Sequence, residues 1–157
     1  MNQPTYDAVI ASPIGRLGLL TFEDYITDLA WLPAKQKLIS PTTSFAELIC
    51  NSLTLYFEST SRLPCFPLQP QGTPFQRKVW LAMQKIQAGQ VQSYGQLAAR
   101  LKTGSRAIGM ACRTNPIILL IPCHRVVSAK GIGGYMGKAG RTNIKQWLLQ
   151  HEGVHDY

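Results

Sequence analysis

The period of the apolar positions changes along this chain, and each change marks an element. Tyr6, Ala8 and Ile10 share one face of a strand with Asp7 on the other, although Val9 blurs the alternation. Ser12-Pro13-Ile14-Gly15 reads as a turn. Residues 16–22 and 25–32 are two further strand segments. The period then becomes helical. Ser44 and Glu47 have capping-box spacing, and Phe45, Leu48, Ile49, Leu53 and Tyr56 form an apolar stripe. Residues 58–72 hold Pro64, Pro67 and Pro70 without periodicity and read as a linker.

A second capping box, Thr73 with Gln76, opens the next helix, with Pro74 at its first position. Phe75, Val79, Met83 and Ile86 make its buried face, and Gly89 ends it. Two short helices follow, 94–101 capped by Ser93 and 106–113 capped by Ser105. The turn between them, Lys102-Thr103-Gly104, has helix-turn-helix length and punctuation. Asn115-Pro116 stops the second helix. The run Ile117-Ile118-Leu119-Leu120-Ile121 reads as a buried strand that Pro122 ends. A glycine-rich loop spans 131–137, and a last helix, 143–151, turns Ile144, Trp147 and Leu148 to the core. No internal repeat is visible.

Composition narrows this picture. The chain has 157 residues, enough for one ordinary domain or two small ones, and 45% of them are hydrophobic. No apolar run approaches the roughly 18–20 residues that span a membrane. The first residues carry Asp7 and Arg16 rather than a basic-then-apolar secretion signal. The four cysteines, Cys50, Cys65, Cys112 and Cys123, have neither CxxC nor zinc-ligand spacing and are expected to be reduced thiols in a cytoplasmic protein. The net charge of +8 is unevenly divided. Residues 1–68 hold four Lys/Arg and six Asp/Glu, while residues 69–157 hold twelve Lys/Arg and two Asp/Glu. A half so basic points to a polyanion, most commonly nucleic acid, against the alternative of a solvated basic face.

The candidate chemistry lies in Pro122-Cys123-His124-Arg125. Cys123 falls where a strand meets a loop, beside an imidazole and a guanidinium that can lower its pKa from about 8.5 and populate the thiolate. A buried structural cysteine is the alternative. Within 106–113, Ala107, Gly109, Met110, Ala111 and Cys112 are small or unbranched. Such a face suits close packing in a core or approach to the narrow minor groove, and composition leaves both open. Arg106 stands at the N-terminal end of that helix, where the dipole also favours phosphate.

Several motifs occur in order: Tyr94-Gly95-Gln96-Leu97-Ala98, Arg106-Ala107-Ile108-Gly109, Asn115-Pro116, Pro122-Cys123-His124-Arg125-Val126, Gly134-Tyr135 and Trp147-Leu148-Leu149-Gln150-His151-Glu152-Gly153. In them the chain resembles the O6-alkylguanine-DNA alkyltransferases (methylated-DNA–protein-cysteine methyltransferases) of the bacterial single-polypeptide type. The resemblance is good over 73–157 and weak but compatible over 1–68. It implies DNA repair by direct reversal: irreversible, single-turnover transfer of an alkyl group from O6-alkylguanine, with O4-alkylthymine a further candidate, to Cys123. By the same resemblance His124 activates the thiol through a water, Glu152 orients His124, and Asn115 braces the turn before the active-site segment. Tyr94 matches the tyrosine near the rotated phosphate, Tyr135 and Met136 the base pocket, and Arg106 the residue that fills the space of the extruded base. Ser93, Arg106, Ala107, Gly109, Met110, Ala111, Arg113 and Arg125 are the implied DNA contacts, made through the minor groove of double-stranded DNA. No cofactor or membrane is implied. The protein is expected to act as a monomer, with cooperativity on DNA left open.

The fold that follows is α+β. A small mixed α/β domain, a short antiparallel sheet plus helix, is expected over 1–68. A mainly helical domain over 69–157 holds the helix-turn-helix and a short strand carrying Pro-Cys-His-Arg. The chain departs from the family pattern in places. The segment from Tyr94 to Arg106 is two residues shorter, and that from Cys123 to Tyr135 one shorter. Met136 replaces a small residue at the pocket wall, which either narrows the pocket or lets it adapt. Lys138 stands where glycine is common. The cysteines of the zinc site found in some members are absent, so no structural metal is expected. A helix-turn-helix regulator would leave Cys123-His124 unused, lesion-binding relatives lack the acceptor cysteine, and a cysteine hydrolase gains nothing from the basic half.

Overall fold

The computed structural model describes residues 5–59, 62–136 and 141–157. Two compact units are present, one of residues 1–71 with 116–118, the other of residues 72–115 with 119–157. The fold is mixed α/β, with a small antiparallel sheet and helices.

In the first unit β1 (Ala8–Ser12), β2 (Gly15–Phe22) and β3 (Tyr25–Leu32) form an antiparallel meander in the order β1-β2-β3. The expected turn joins the first two strands: Ser12 Oγ donates to the Gly15 carbonyl at 2.6 Å, and Gly15 takes a φ of 143° that suits glycine. The ladder shifts register at Leu20/Thr21, and Asp7 Oδ2 accepts there from the Thr21 amide and hydroxyl at 2.6 and 2.9 Å. Helix α1 (Ser44–Glu58) buries Ala46, Ile49, Cys50, Leu53, Tyr56 and Phe57. Its cap is Thr43 rather than Ser44, and Leu48, read as part of the stripe, is exposed. The segment read as a linker is partly sheet-bound, because the Ile26 amide donates to Pro67 O and Ile26 O accepts from the Gln69 amide.

The second unit starts with α2 (Pro74–Gln84), capped by the expected Thr73–Gln76 box. Trp80 is buried and donates from Nε1 to the Ala111 carbonyl at 2.9 Å, which ties α2 to α4 (Ser105–Arg113). The first arm of the helix-turn-helix is α3 (Tyr94–Arg100), and Ser93 caps it in a full capping box with Gln96. Gly104, not Ser105, is the cap of α4, and it makes no side-chain cap bond; Ser105 is the first helical residue. β4 (Gln92–Ser93) and β5 (Val126–Val127) form a short parallel pair that the sequence pattern did not mark. In α5 (Thr142–His151) the buried side chains are Lys145, Leu148 and Leu149, so Ile144 and Trp147 are not its main core face.

The strand expected over 117–121 does not form. Ile117 makes a single parallel bridge to Leu29, with the Leu29 amide donating to Pro116 O and the Ile118 amide to Leu29 O. Leu119 then takes a φ of 68°, which breaks the extended path, and the chain returns to the second unit. All of the run but Leu120 is buried, with Ile117 and Ile118 in the first unit and Leu119 and Ile121 in the second, rather than along one strand. Gly137, the end of the glycine-rich loop, and Lys138, which stands where glycine is common, lie outside the described residues.

Candidate active site and DNA-binding helices

Cys123 opens a one-turn 3-10 helix, Cys123–Arg125, directly before β5. A turn this tight sends consecutive side chains in different directions. The Cys123 thiol is buried, with Met136 Sδ 3.8 Å from its Sγ. His124 is buried, and its Nε2 lies 3.0 Å from Glu152 Oε2. Arg125 binds the same carboxylate at both oxygens, Nε to Oε1 and Nη2 to Oε2, each at 2.8 Å. Its Nη1 donates to Ile86 O at 2.7 Å. Glu152, the C-cap of α5, thus holds both residues that follow Cys123. Asn115, also buried, donates from Nδ2 to Ile121 O at 2.7 Å, bracing the turn that leads into Cys123.

The charges follow from burial and partners. Burial opposes ionisation of Glu152, yet His124 and Arg125 hold its carboxyl well below the usual carboxylate range. Burial drives the His124 imidazole below its usual range, and Glu152 only partly offsets this, so the ring is neutral near pH 7. An ionised carboxylate facing Nε2 makes Nε2 the protonated nitrogen and leaves Nδ1 a free lone pair. Nδ1 is buried and has no hydrogen-bond partner among the described residues. Burial pushes the Cys123 thiol up, against an Asn115 hydrogen bond and the Lys145 charge, which lower it. The expectation that His124 and Arg125 themselves depress the thiol is therefore corrected. His124 is neutral, and Arg125 is committed to Glu152.

Two implied DNA contacts are placed elsewhere. Arg125 is turned inward by its three hydrogen bonds, so its guanidinium serves Glu152 and Ile86 rather than a phosphate. Ala111 is only 2% exposed and faces the core with Ile108 and Cys112. The rest of α4 is open. Arg106 and Arg113 are exposed, Met110 is 56% exposed, and Ala107 and Gly109 are half-buried. A Cβ at Gly109 would meet nothing within 4 Å. The small-residue face thus splits between core packing and an open surface. Tyr94 is half-buried, with its hydroxyl 3.5 Å from Gly134 O, and Tyr135 is buried. Met136 has a φ of 53°, a left-handed conformation unusual for its residue type.

Lys145 was missed. It precedes Leu148 and Leu149 by three and four residues, so the periodicity that marks the buried face of α5 includes it. Its Nζ donates to Val126 O at 2.6 Å and Gly134 O at 2.9 Å. Among the described residues no group of three or more His, Cys, Asp or Glu is placed to hold a metal ion, and no helix is long and apolar enough to cross a membrane.

Residues 74–154 match the family described as "6-O-methylguanine DNA methyltransferase, DNA binding domain". A methylated-DNA–protein-cysteine methyltransferase of Methanosarcina acetivorans is 34% identical over 156 residues, covering 94% of this chain and 98% of that protein. The chain belongs to the methylated-DNA–protein-cysteine methyltransferase family. Another methyltransferase so named, from Shigella flexneri, is 36% identical over 92% of this chain and 93% of its own. Among solved structures, the Mycobacterium tuberculosis OGT in complex with DNA superposes with a TM-score of 0.80 at 34% identity, covering 94% of this chain and 92% of that one. The M. tuberculosis O6-methylguanine methyltransferase also has a TM-score of 0.80, at 32% identity over 95% of this chain and 93% of its own. Residues 74–154 are thus the DNA-binding domain of a methyltransferase of this family, and DNA is its macromolecular partner.

Proposed function

We propose that Cys123 removes the alkyl group from O6-alkylguanine in duplex DNA and keeps it. Family membership makes the chain a DNA-repair methyltransferase that transfers alkyl groups to a cysteine. Of its four cysteines, Cys123 alone is followed by a histidine that a carboxylate orients. The observation that carries the reading is the free lone pair of His124 Nδ1, buried in the turn that bears the thiol and fixed by the Nε2–Glu152 contact.

The thiol proton passes through a water to His124 Nδ1, and the ionised Glu152 stabilises the resulting imidazolium. The thiolate attacks the alkyl carbon, an S–C bond forms, and the C–O6 bond breaks with its electron pair going to guanine. The imidazolium gives its proton back through the water to guanine, which leaves neutral with Tyr135 hydrogen-bonded to it, and His124 returns to its neutral form. The thioether is stable, so each molecule reacts once. For the base to reach the thiol it must leave the stack. Approach of α4 through the minor groove brings Arg106 to the vacated place and Tyr94 to the turned phosphate, while Met136 forms the wall beside the sulfur. The reading has a monomer acting in the cytoplasm without a metal.

Titrating a duplex that carries one O6-methylguanine with the protein tests this. Lesion removal should saturate at one equivalent, and Cys123→Ser should bind the duplex but remove nothing. Repeated turnover by wild type, or removal by the variant, would contradict the reading.

A further inference from the structure

Lys145 is fully buried, yet among the described residues it forms no ion pair, and the site's Arg125–Glu152 pair does not include it. Its two hydrogen bonds go to uncharged carbonyls, and the Tyr94 ring centroid lies 5.7 Å from Nζ. The titratable groups that act on it or on which it acts are Tyr94 from α3, Cys112 from α4, and Cys123 and His124 from the 3-10 turn. All four are neutral at rest near pH 7, the phenol and both thiols because burial raises them and the imidazole because burial lowers it. An ammonium taken out of water without an anion is unfavourable. Elsewhere in the site the charges are already matched, since Arg125 neutralises Glu152. The cluster therefore holds two cations and one anion at rest. Loss of the Cys123 proton supplies the second anion.

We propose that Lys145 is the counter-ion of the Cys123 thiolate, a positioning residue that ties the charge on sulfur to the wall of the base pocket. The tie is made of two carbonyls. Val126 directly follows the 3-10 turn, and Gly134 directly precedes Tyr135 and Met136. The Gly134 carbonyl also faces the Tyr94 hydroxyl, so one cation organises the nucleophile segment and both tyrosines. Burial brings the Lys145 ammonium down to about 8, and Cys123 and Cys112 pull in the opposite sense. Lys145 in turn pulls Cys123 down against burial. Through the reaction Lys145 keeps its protons: the thiol proton goes to His124 and from there to guanine, where it neutralises the electron pair of the broken C–O6 bond. The product thioether is neutral and Lys145 again has no anion. The proposal rests on Cys123 being the alkyl acceptor.

The test is the pH profile of Cys123 alkylation by iodoacetamide in wild type, Lys145→Met and Lys145→Arg, read by peptide mass so that exposed Cys65 is counted separately. The midpoint should rise by about one pH unit or more in Lys145→Met, a tenfold loss of thiolate at neutral pH, and return toward wild type in Lys145→Arg. A Lys145→Met profile lowered by the same factor at every pH, with its midpoint unmoved, would overturn the proposal and leave Lys145 a structural staple. Wild type alone supplies a second readout that needs no variant to fold. Followed by NMR at its side-chain nitrogen, Lys145 should titrate at lower pH after Cys123 is methylated than before, and an unchanged midpoint would overturn the proposal. Iodoacetamide needs no DNA, so failure to take a methyl group from DNA would overturn the proposed function without moving these midpoints.

Discussion

Among single residues, thiol activation depends on His124 staying neutral and Glu152 staying charged. Burial lowers the imidazole below its ordinary value of 6.5, so between the two values the unfolded chain binds more protons than the folded one. Stability from this site is then complete above about pH 6.5 and falls as pH drops toward the folded value. Glu152, held low despite burial, has the same sign further down: its contribution is present above the ordinary 4.5 and is lost as pH falls through the folded value. Urea unfolding should therefore give a lower midpoint at pH 5.5 than at pH 7.5, and His124→Gln should shrink that difference; an equal difference in both proteins would contradict the assignment. Much of this site is visible in the sequence, because Cys123 and His124 are adjacent and Glu152 closes a distinctive C-terminal motif. The role of Arg125 is not visible. Whether an arginine faces a phosphate or a carboxylate depends on where the end of α5 comes to lie, which no local pattern states.

At the scale of elements, the capped helices are the legible part. Thr73–Gln76 and Ser93–Gln96 are complete boxes, because cap and partner are three residues apart and need nothing from the rest of the fold. The reading fails where tertiary contacts decide. The apolar run 117–121 has strand composition, but the left-handed Leu119 divides it between two cores. The tie between α2 and α4 is equally tertiary, since Trp80 is reached from Gly72 as well as Ala111. A Cβ at Gly72 would sit 2.5 Å from Trp80 Cη2 and 2.9 Å from the Gln76 oxygen that completes the capping box. Gly72→Ala should destabilise by about 1–3 kcal/mol. Gly109→Ala, in open space inside α4, should instead stabilise by about 0.5–1 kcal/mol. Urea midpoints of the two variants check this, and equal shifts would contradict it.

For the whole molecule, the charge division survives the change of boundary. The first unit extends to Gln71 and takes in 116–118, none of which adds a charged residue, so the basic excess stays with the second unit. Of that unit's twelve Lys/Arg, Arg125 is committed to Glu152 and Lys145 is buried. Arg106 and Arg113 are exposed, and with Arg106 at the vacated place in the proposed function, Arg113 is the cation of α4 expected at a phosphate. DNA affinity should fall linearly in log–log form with salt, and Arg113→Ala should reduce the slope by about 1. A slope unchanged by Arg113→Ala would remove α4's last turn from the interface. These charges bring duplex to protein, but the chemistry is a single bond at a single sulfur. Intact-protein mass after incubation with duplex DNA carrying one O6-methylguanine tests that most directly, with Cys123→Ala alongside. Wild type should gain one methyl group, located at Cys123, and the variant none. Tight binding without any mass gain, or a methyl group on another cysteine, would contradict it.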